Sequence, residues 1–213
     1  MEPNVWSSEV VEKAIQQWGK PSSPWTLTAF SSASEGEVVV DLGCGFGRFY
    51  EWLTKNTESP LYYVGVDKSE WMVRKCRQLY GADEMHEFFV HDLMEPLSFI
   101  EVPEVCSLLC NSVLIHLPLE EQDVVLSNLA DARPGKLTLD IESKLGAVDV
   151  SKVSAEMGQP FFRTRNDPEK FAEKFLAKFP SYKVEIHHFP YGETLTRHVF
   201  VASCNNWTKG NQS

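Results

Sequence analysis

The feature that most constrains this chain is a run of β-branched residues that breaks abruptly into glycines. Residues 38–42 read Val-Val-Val-Asp-Leu, and Gly43, Gly45 and Gly47 follow at alternate positions. The pattern predicts a buried strand of a parallel sheet, then a tight turn, then the start of a helix. Because glycine has no Cβ atom, such a turn lets an anionic ligand lie directly against the main chain at a helix N-terminus.

The spacing of the glycines distinguishes two kinds of nucleotide-binding loop. A dinucleotide fingerprint has glycines at its first, third and sixth positions, and the sixth position here is Arg48. A nicotinamide-dependent oxidoreductase is therefore disfavoured.

The pattern acid-x-Gly-x-Gly-x-Gly closely resembles motif I of the class I S-adenosylmethionine (SAM) methyltransferases. This resemblance implies that the loop binds SAM. The cofactor-binding positions that it implies in the loop are Asp41, Gly43, Cys44, Gly45 and Gly47.

A second apolar segment also ends in an acid. Asp67 follows residues 61–66 and lies 24 residues after Gly43, close to the interval at which a carboxylate meets ribose hydroxyls in related folds. An ionised carboxylate can accept from two neighbouring hydroxyls. Asp67 and Lys68 resemble the family's second motif, and the alternative for Asp67 is a helix-capping role before Ser69.

The third and fourth strands complete the resemblance. Asp92 and Leu93 follow a third apolar segment, where the family has an acid that accepts from the adenine amino group. A solvent-exposed turn is the alternative for Asp92. Asn111 ends a fourth strand, in a segment that lines the cavity at the reactive methyl group in small-molecule methyltransferases.

Periodicity predicts alternating strands and helices from about residue 36 to residue 204. The resemblance implies a Rossmann-like α/β fold, with a seven-stranded, mostly parallel sheet flanked by helices and an antiparallel last strand. We expect one methyltransferase domain over residues 1–213. Its expected parts are a helical lid segment (1–34), a SAM-binding core (35–204), a substrate-facing insertion within it (142–166) and a flexible tail (205–213).

The lid expectation depends on three tryptophans. An amphipathic helix is predicted from about Ser8 to Trp18, followed by a loop over residues 20–25. In similar methyltransferases a segment before motif I closes over the cofactor, so Trp6, Trp18 and Trp25 are lid candidates and Trp25 is a candidate substrate contact. Core packing is the alternative.

Two later helices have predicted buried faces. Each follows the i, i+3, i+4 spacing of an amphipathic helix. The predicted inward residues are Met72, Val73, Cys76 and Leu79 in the first helix, and Phe171, Ala172, Phe175, Leu176 and Phe179 in the second.

A catalytic base is needed only if the acceptor is protonated. His116, at the turn after the fourth strand, is the first candidate because imidazole titrates near neutral pH. A packing role is the alternative. Asp140 and Glu142, at the end of the fifth strand, are second candidates, whereas His187, His188 and His198 read as strand-surface or packing residues.

An arginine pair lies in the insertion. Arg163 and Arg165 are two residues apart, so in an extended segment both side chains point to one side. Two guanidiniums beside a cavity suit a carboxylate or phosphate group of an acceptor. The alternative is that they neutralise nearby Asp and Glu residues.

Composition excludes several classes of function. The net charge of -10 disfavours a protein that follows a phosphate backbone, so nucleic acid is an unlikely partner. The chain shows neither a membrane-spanning segment nor a signal peptide, which predicts a cytoplasmic protein. The odd number of cysteines, 5, predicts free thiols, and the sequence suggests no metal site.

The sequence therefore predicts a methyltransferase that moves a methyl group from SAM to an O, N or S nucleophile on a small molecule and leaves S-adenosylhomocysteine (SAH). Two alternatives stay open. One is a SAM-binding partner or regulatory domain without transfer activity, and the other is a methyltransferase that acts on protein or RNA.

Overall fold

A computed structural model describes residues 12–13, 15–16, 20–35, 38–57, 62–98, 106–145, 150–156, 159–191, 193–205 and 207. Trp6 and Trp18 of the predicted lid lie outside these residues, as does most of the predicted tail. The helices are α1 (Pro24–Ala33), α2 (Arg48–Asn56), α3 (Glu70–Tyr80), α4 (Leu119–Ala132) and α5 (Pro168–Lys178). The strands are β1 (Val38–Leu42), β2 (Tyr62–Asp67), β3 (His86–Val90), β4 (Cys106–Cys110), β5 (Lys136–Lys144), β6 (Val150–Glu156), β7 (Gln159–Arg165), β8 (Tyr182–Tyr191) and β9 (Leu195–Cys204).

Seven strands form the main sheet in the order β3-β2-β1-β4-β5-β9-β8. The strands β1 to β5 pair in parallel, and β9 runs antiparallel between β5 and β8. The predicted seven-stranded sheet with an antiparallel last strand is therefore confirmed.

Helices cover both faces of this sheet. Phe30, Phe49 and Val73, from α1, α2 and α3, pack against one face. Leu126 and Phe175, from α4 and α5, pack against the other. Burial on both faces explains why β1 and β4 are almost wholly apolar rather than alternating.

The loop after β1 requires glycine for two reasons. Gly43 and Gly47 have φ angles of 72° and 81°, a region that side chains disfavour. A Cβ atom at Gly43 would also lie 2.4 Å from Cγ2 of Val113, and one at Gly47 would lie 2.5 Å from Cε2 of Tyr80. The loop is thus held between the turn after β4 and the end of α3.

Three local predictions were wrong. Trp25 lies in the first turn of α1, not in a loop, because Pro24 occupies the first helical position, where a missing N–H is harmless. Leu79 and Leu176 are exposed, at 50% and 49%. The buried side of each helix follows a four-residue step instead. It runs from Cys76 to Tyr80 in α3 and from Phe171 to Phe175 in α5.

The insertion predicted over residues 142–166 contains more regular structure than its weak periodicity suggests. The strand β5 continues to Lys144, and β6 and β7 pair as a separate antiparallel ribbon. Asn166 N–H then donates to the Glu142 carbonyl at 2.8 Å, which ties the end of the ribbon back to β5.

No helix in the described part of the chain is long and apolar enough to cross a membrane.

Asp41 is an ionisable group that lies inside the sheet. Asp41 in β1 is 4% exposed, and its Oδ2 accepts a hydrogen bond of 2.8 Å from the Tyr63 hydroxyl of β2. Burial raises the pKa of Asp41 to about 7, although the Tyr63 hydrogen bond and the Arg48 charge act in the opposite direction. The folded protein therefore holds a proton on this carboxyl that an unfolded chain releases near pH 4.

This difference predicts the sign of a pH effect. Because the folded state binds the extra proton, the contribution of Asp41 to the free energy of unfolding should fall as the pH rises from about 4 to about 7 and then level off. The difference between the ordinary pKa of 3.8 and the folded-state pKa of about 7 corresponds to roughly 4 kcal/mol of unfolding free energy. Asp41→Asn should remove this part of the dependence, measured by urea unfolding at several pH values. The exposed Asp131→Asn is the matched control, and an unchanged slope in Asp41→Asn would contradict the assignment.

Candidate cofactor and acceptor site

The carboxyl ends of β1, β2, β4 and β5 meet at one edge of the sheet, and the glycine loop lies there. The N–H groups of Gly43 and Cys44 both donate to the carbonyl of Val66, at 2.7 and 2.9 Å. These bonds close the turn onto the end of β2. They leave Gly45 at the crest of the loop, where an added Cβ would meet no protein atom within 4 Å.

Asp67 is bonded to the glycine loop. Its Oδ2 accepts from Gly45 N–H at 2.9 Å, and its Oδ1 accepts from Ser69 N–H at 2.8 Å. Burial raises the pKa of Asp67, while the two backbone donors oppose the rise. The carboxylate therefore stands beside the open crest of the loop and also helps to start α3, whose N-cap is Ser69.

The other predicted cofactor residues differ in their surroundings. Asp92 is exposed, and its Oδ1 accepts from Met94 N–H at 3.0 Å, so it also forms the turn that was its alternative reading. Lys68 is exposed and Leu93 is buried. The Cys44 thiol is buried, and both it and the Cys76 thiol of α3 contact the Gly45 carbonyl, at 3.6 and 3.2 Å. The Cys44 side chain thus supports the loop from behind.

A buried carboxylate links the turn after β4 to the last strand. Asp140 is fully buried; its Oδ1 accepts from Asn111 Nδ2 at 3.2 Å and from Ser112 N–H. Its Oδ2 pairs with Nη1 of Arg197 in β9. Ser112 has a φ angle of 60°, so Asp140 stabilises a backbone conformation that serine rarely adopts.

The network extends from Asp140 in both directions. Arg48, at the start of α2, reaches Asn111 Oδ1 at 3.5 Å. On the other side, Arg197 Nε lies 3.3 Å from Oε2 of Glu142, and Glu142 also pairs with Arg165 of β7. Buried ionic groups thus join the glycine loop, the turn after β4 and the β6–β7 ribbon.

The predicted arginine pair lies where this network reaches the surface. Arg163 and Arg165 are both half-buried on the extended strand β7. Burial lowers the pKa of Arg165 and the Glu142 carboxylate raises it, whereas the charges of Arg163 and Arg197 lower it further. The guanidiniums of Arg165 and Arg197 both reach Glu142, so Arg165 fulfils the alternative role of neutralising a neighbouring acid.

Trp25 lies over the same region. Its ring centroid is 4.9 Å from that of Tyr191 and 5.9 Å from Cζ of Arg197. A cation over an indole face is attracted by its electrons, so Trp25 covers the Arg197 end of the network.

His116 lies in a short 3₁₀ turn, Leu114–His116, beside the β6–β7 ribbon. It is half-buried, and its backbone N–H donates to the Val113 carbonyl at 2.9 Å. The next residue, Leu117, accepts from the Thr164 hydroxyl of β7 at 2.5 Å. Asp140 and Glu142, the other acid–base candidates, are buried and occupied by ionic partners, which suits them to positioning.

Sequence reasoning missed two members of the network. Arg48 was used only to reject a dinucleotide loop, although its place after the last glycine marks it as a neighbour of the site. The only sign of Arg197 in the sequence is that it is a charged residue in an otherwise apolar strand. A charged residue in a buried strand indicates an ion pair.

Known proteins provide independent comparisons. A family model described as "Methyltransferase domain" matches residues 39–135. Magnesium-protoporphyrin O-methyltransferase of Synechocystis sp. is 29% identical over 143 residues, which are 65% of this chain. The matched region spans 59% of that relative's length.

Two solved structures illustrate how widely the fold is used. The 1,6-didemethyltoxoflavin-N1-methyltransferase of Burkholderia thailandensis, crystallised with its acceptor and SAH, has a TM-score of 0.64 at 18% identity, over 93% of this chain and 85% of that one. The [4+2]-cyclase SpnF has a TM-score of 0.64 at 13% identity, over 84% of this chain and 80% of that one. At these identities the similarity concerns the fold.

The glycine loop after β1, the acids at the strand ends, the strand order and the family match all agree. The resemblance read from the sequence is confirmed over residues 39–135, which the methyltransferase family model matches, and the sheet has the strand order of the predicted class I fold.

Proposed function

We infer that the protein transfers a methyl group from SAM to an oxygen, nitrogen or sulfur atom of a small molecule and releases SAH. The observation that carries this proposal is the open crest of the glycine loop at Gly45 with the Asp67 carboxylate beside it. A cofactor that lies against this main chain fits where a side chain would otherwise stand.

The proposal assigns the cofactor a set of contacts. In this proposal Asp67 accepts from ribose hydroxyls, Asp92 accepts from the adenine amino group, and Leu93 is an apolar neighbour. The exposed Lys68 and Asn111, which follows β4, complete the set. The bound cofactor supplies an already activated methyl group, so the protein's task is to align the acceptor and exclude water.

The converging guanidiniums favour an acceptor with an anionic group. Arg163, Arg165 and Arg197 are close enough for their charges to depress the pKa of Arg165. A carboxylate or phosphate would relieve that repulsion and could be bound bidentately. Trp25 would cover the bound acceptor, and His116 would orient its nucleophilic atom or accept its proton.

The acceptor atom is most simply an oxygen. The relative from Synechocystis is named as an O-methyltransferase. An alcohol or phenol oxygen gains nucleophilicity when a neighbouring base takes its proton, which fits the place given to His116.

Other assignments remain as competing outcomes. A SAM-binding domain without transfer activity would share the cofactor contacts but give no methylated product. The structure of SpnF, which has the same fold, is described as that of a cyclase and not of a methyltransferase. An RNA acceptor is disfavoured by the acidic chain, with its net charge of -10. We place the reaction in the cytoplasm, because all five cysteines are free thiols.

Cofactor binding provides the first test. SAH should raise the melting temperature, because a ligand that binds only the folded state stabilises it, whereas NAD should not. Asp67→Ala should weaken SAH binding roughly tenfold to a hundredfold, the effect of removing a partner from a hydrogen bond to a charged group. Calorimetry measures the affinity, with Asp131→Ala as the control. Stabilisation by NAD alone would reject the cofactor assignment.

The arginine pair tests the class of acceptor. Purified protein with SAM is offered a pool of small hydroxy acids and sugar phosphates, and mass spectrometry identifies the species that gains one methyl group. Arg163→Ala/Arg165→Ala should raise the KM of that acceptor roughly tenfold or more while SAH affinity holds, since charge-assisted hydrogen bonds are lost. Arg74→Ala, on the exposed surface of α3, controls for loss of charge. An unchanged KM in the double variant means that the ribbon does not bind an anion.

His116 tests the catalytic step separately. His116→Ala should lower kcat about a hundredfold if the imidazole takes the acceptor proton, and the neutral-pH limb of the kcat profile should disappear with it. SAH affinity should stay constant because the side chain acts on the acceptor. Parallel losses of melting temperature and SAH affinity would instead identify His116 as a packing residue.

A further inference from the structure

A pair of histidines lies outside the site described above. His188 of β8 and His198 of β9 occupy directly opposite positions in the antiparallel pairing. Their Nδ1 atoms are 2.7 Å apart, and the ring planes cross at 82°. His198 is 6% exposed, whereas His188 is exposed to solvent. Two imidazole nitrogens therefore converge on one point that solvent can reach.

Such a contact has a simple requirement. Two ring nitrogens at this distance cannot both carry a hydrogen, so at least one presents a lone pair to the other. As they stand, the two nitrogens can share one proton, and a metal cation in place of that proton needs them slightly further apart.

The second nitrogen of His198 is held by a neighbour. Its Nε2 lies 2.6 Å from the hydroxyl oxygen of Ser143 in β5. A metal-binding histidine commonly donates its remaining N–H to an oxygen, which fixes the tautomer and the orientation of the ring. Ser143 stands in that position for a cation bound at Nδ1.

We propose that His188 and His198 form a binding site for one divalent first-row transition-metal ion, with Ser143 as the residue that orients His198 and water completing the coordination. Two nitrogens bound side by side at about 2.0–2.1 Å from a metal stand about 3 Å apart. The observed spacing reaches this value by a small rotation of the exposed His188. Imidazole ligands select Cu²⁺, Ni²⁺ and Zn²⁺ over Mg²⁺ and Ca²⁺, and the general affinity order makes Cu²⁺ the tightest.

The site would act on the fold rather than on methyl transfer. It bridges the last two strands on the face of the sheet that α5 covers, whereas Arg197 projects to the opposite face. Within the described residues, no group of three or more His, Cys, Asp or Glu side chains could hold a metal. The site is therefore an open chelate, for which we expect exchangeable binding.

The test uses the full chain without a histidine tag, after treatment with a chelator. Addition of one equivalent of Cu²⁺ should give an electron paramagnetic resonance spectrum with hyperfine splitting from two nitrogens, and Zn²⁺ should raise the melting temperature while Mg²⁺ does not. His188→Ala should lower Cu²⁺ affinity at least tenfold and abolish the Zn²⁺ effect. Ser143→Ala should weaken affinity roughly tenfold, the usual effect of removing an orienting partner.

His187 provides the matched control. It is the neighbour of His188 on the same strand and is also exposed, but alternation directs it to the other face of the sheet. His187→Ala should bind Cu²⁺ as the wild type does. Equal affinities in wild type, His187→Ala and His188→Ala would overturn the proposal, and a larger loss in His187→Ala would relocate the site. Because His188 is exposed, we expect His188→Ala to fold. The test therefore does not depend on His198→Ala, which replaces a buried side chain.

Discussion

The buried carboxylate of Asp140 is the contact on which the site depends. It receives the Ser112 N–H and the Asn111 amide on one oxygen and the Arg197 guanidinium on the other. These bonds hold Ser112 at a positive φ angle, and the next residue, Val113, packs against Gly43. Removing one partner of a buried ion pair typically costs about 3–5 kcal/mol, because a charge is left without compensation. The shape of the glycine loop is therefore coupled to a strand that lies more than a hundred residues away in sequence.

The same network explains how two acids can be buried in this protein. Asp140 and Glu142 are removed from water, and such burial is tolerated only when cations and hydrogen-bond donors surround the acids. Arg48, Arg165 and Arg197 supply them. Since these guanidiniums arrive from three elements and lie around the same two carboxylates, their charges also act on one another. The arrangement that stabilises the buried acids thus gathers cations from distant parts of the chain at one end of the sheet.

The sequence predicts those features of the fold and the site that depend on residues close to one another along the chain. The strand before Gly43, the acids after β2 and β3, and the alternation of strands and helices follow from local periodicity and from glycine's conformational freedom. The ion pairs could not be predicted in the same way, since Asp140 and Arg197 are separated by 57 residues and an ion pair leaves no periodic trace. The α1 helix was missed because proline and serine at its start resemble a loop. The ribbon β6–β7 was missed because its two strands pair with each other and not with the main sheet.

The antiparallel direction of β9 makes both the network and the histidine pair possible. A strand that ran parallel to β5 would bring its last residues to the cofactor edge, but β9 brings its first ones, including Arg197 and His198. Successive side chains of a strand point to opposite faces. Arg197 accordingly meets Asp140 and Trp25 on one face, while His198 meets Ser143 and His188 on the other. A slip of one residue in the pairing of β9 would exchange the two, placing an imidazole against the buried acids and a guanidinium against Ser143. The register of this one strand therefore determines the chemistry on both faces of the sheet.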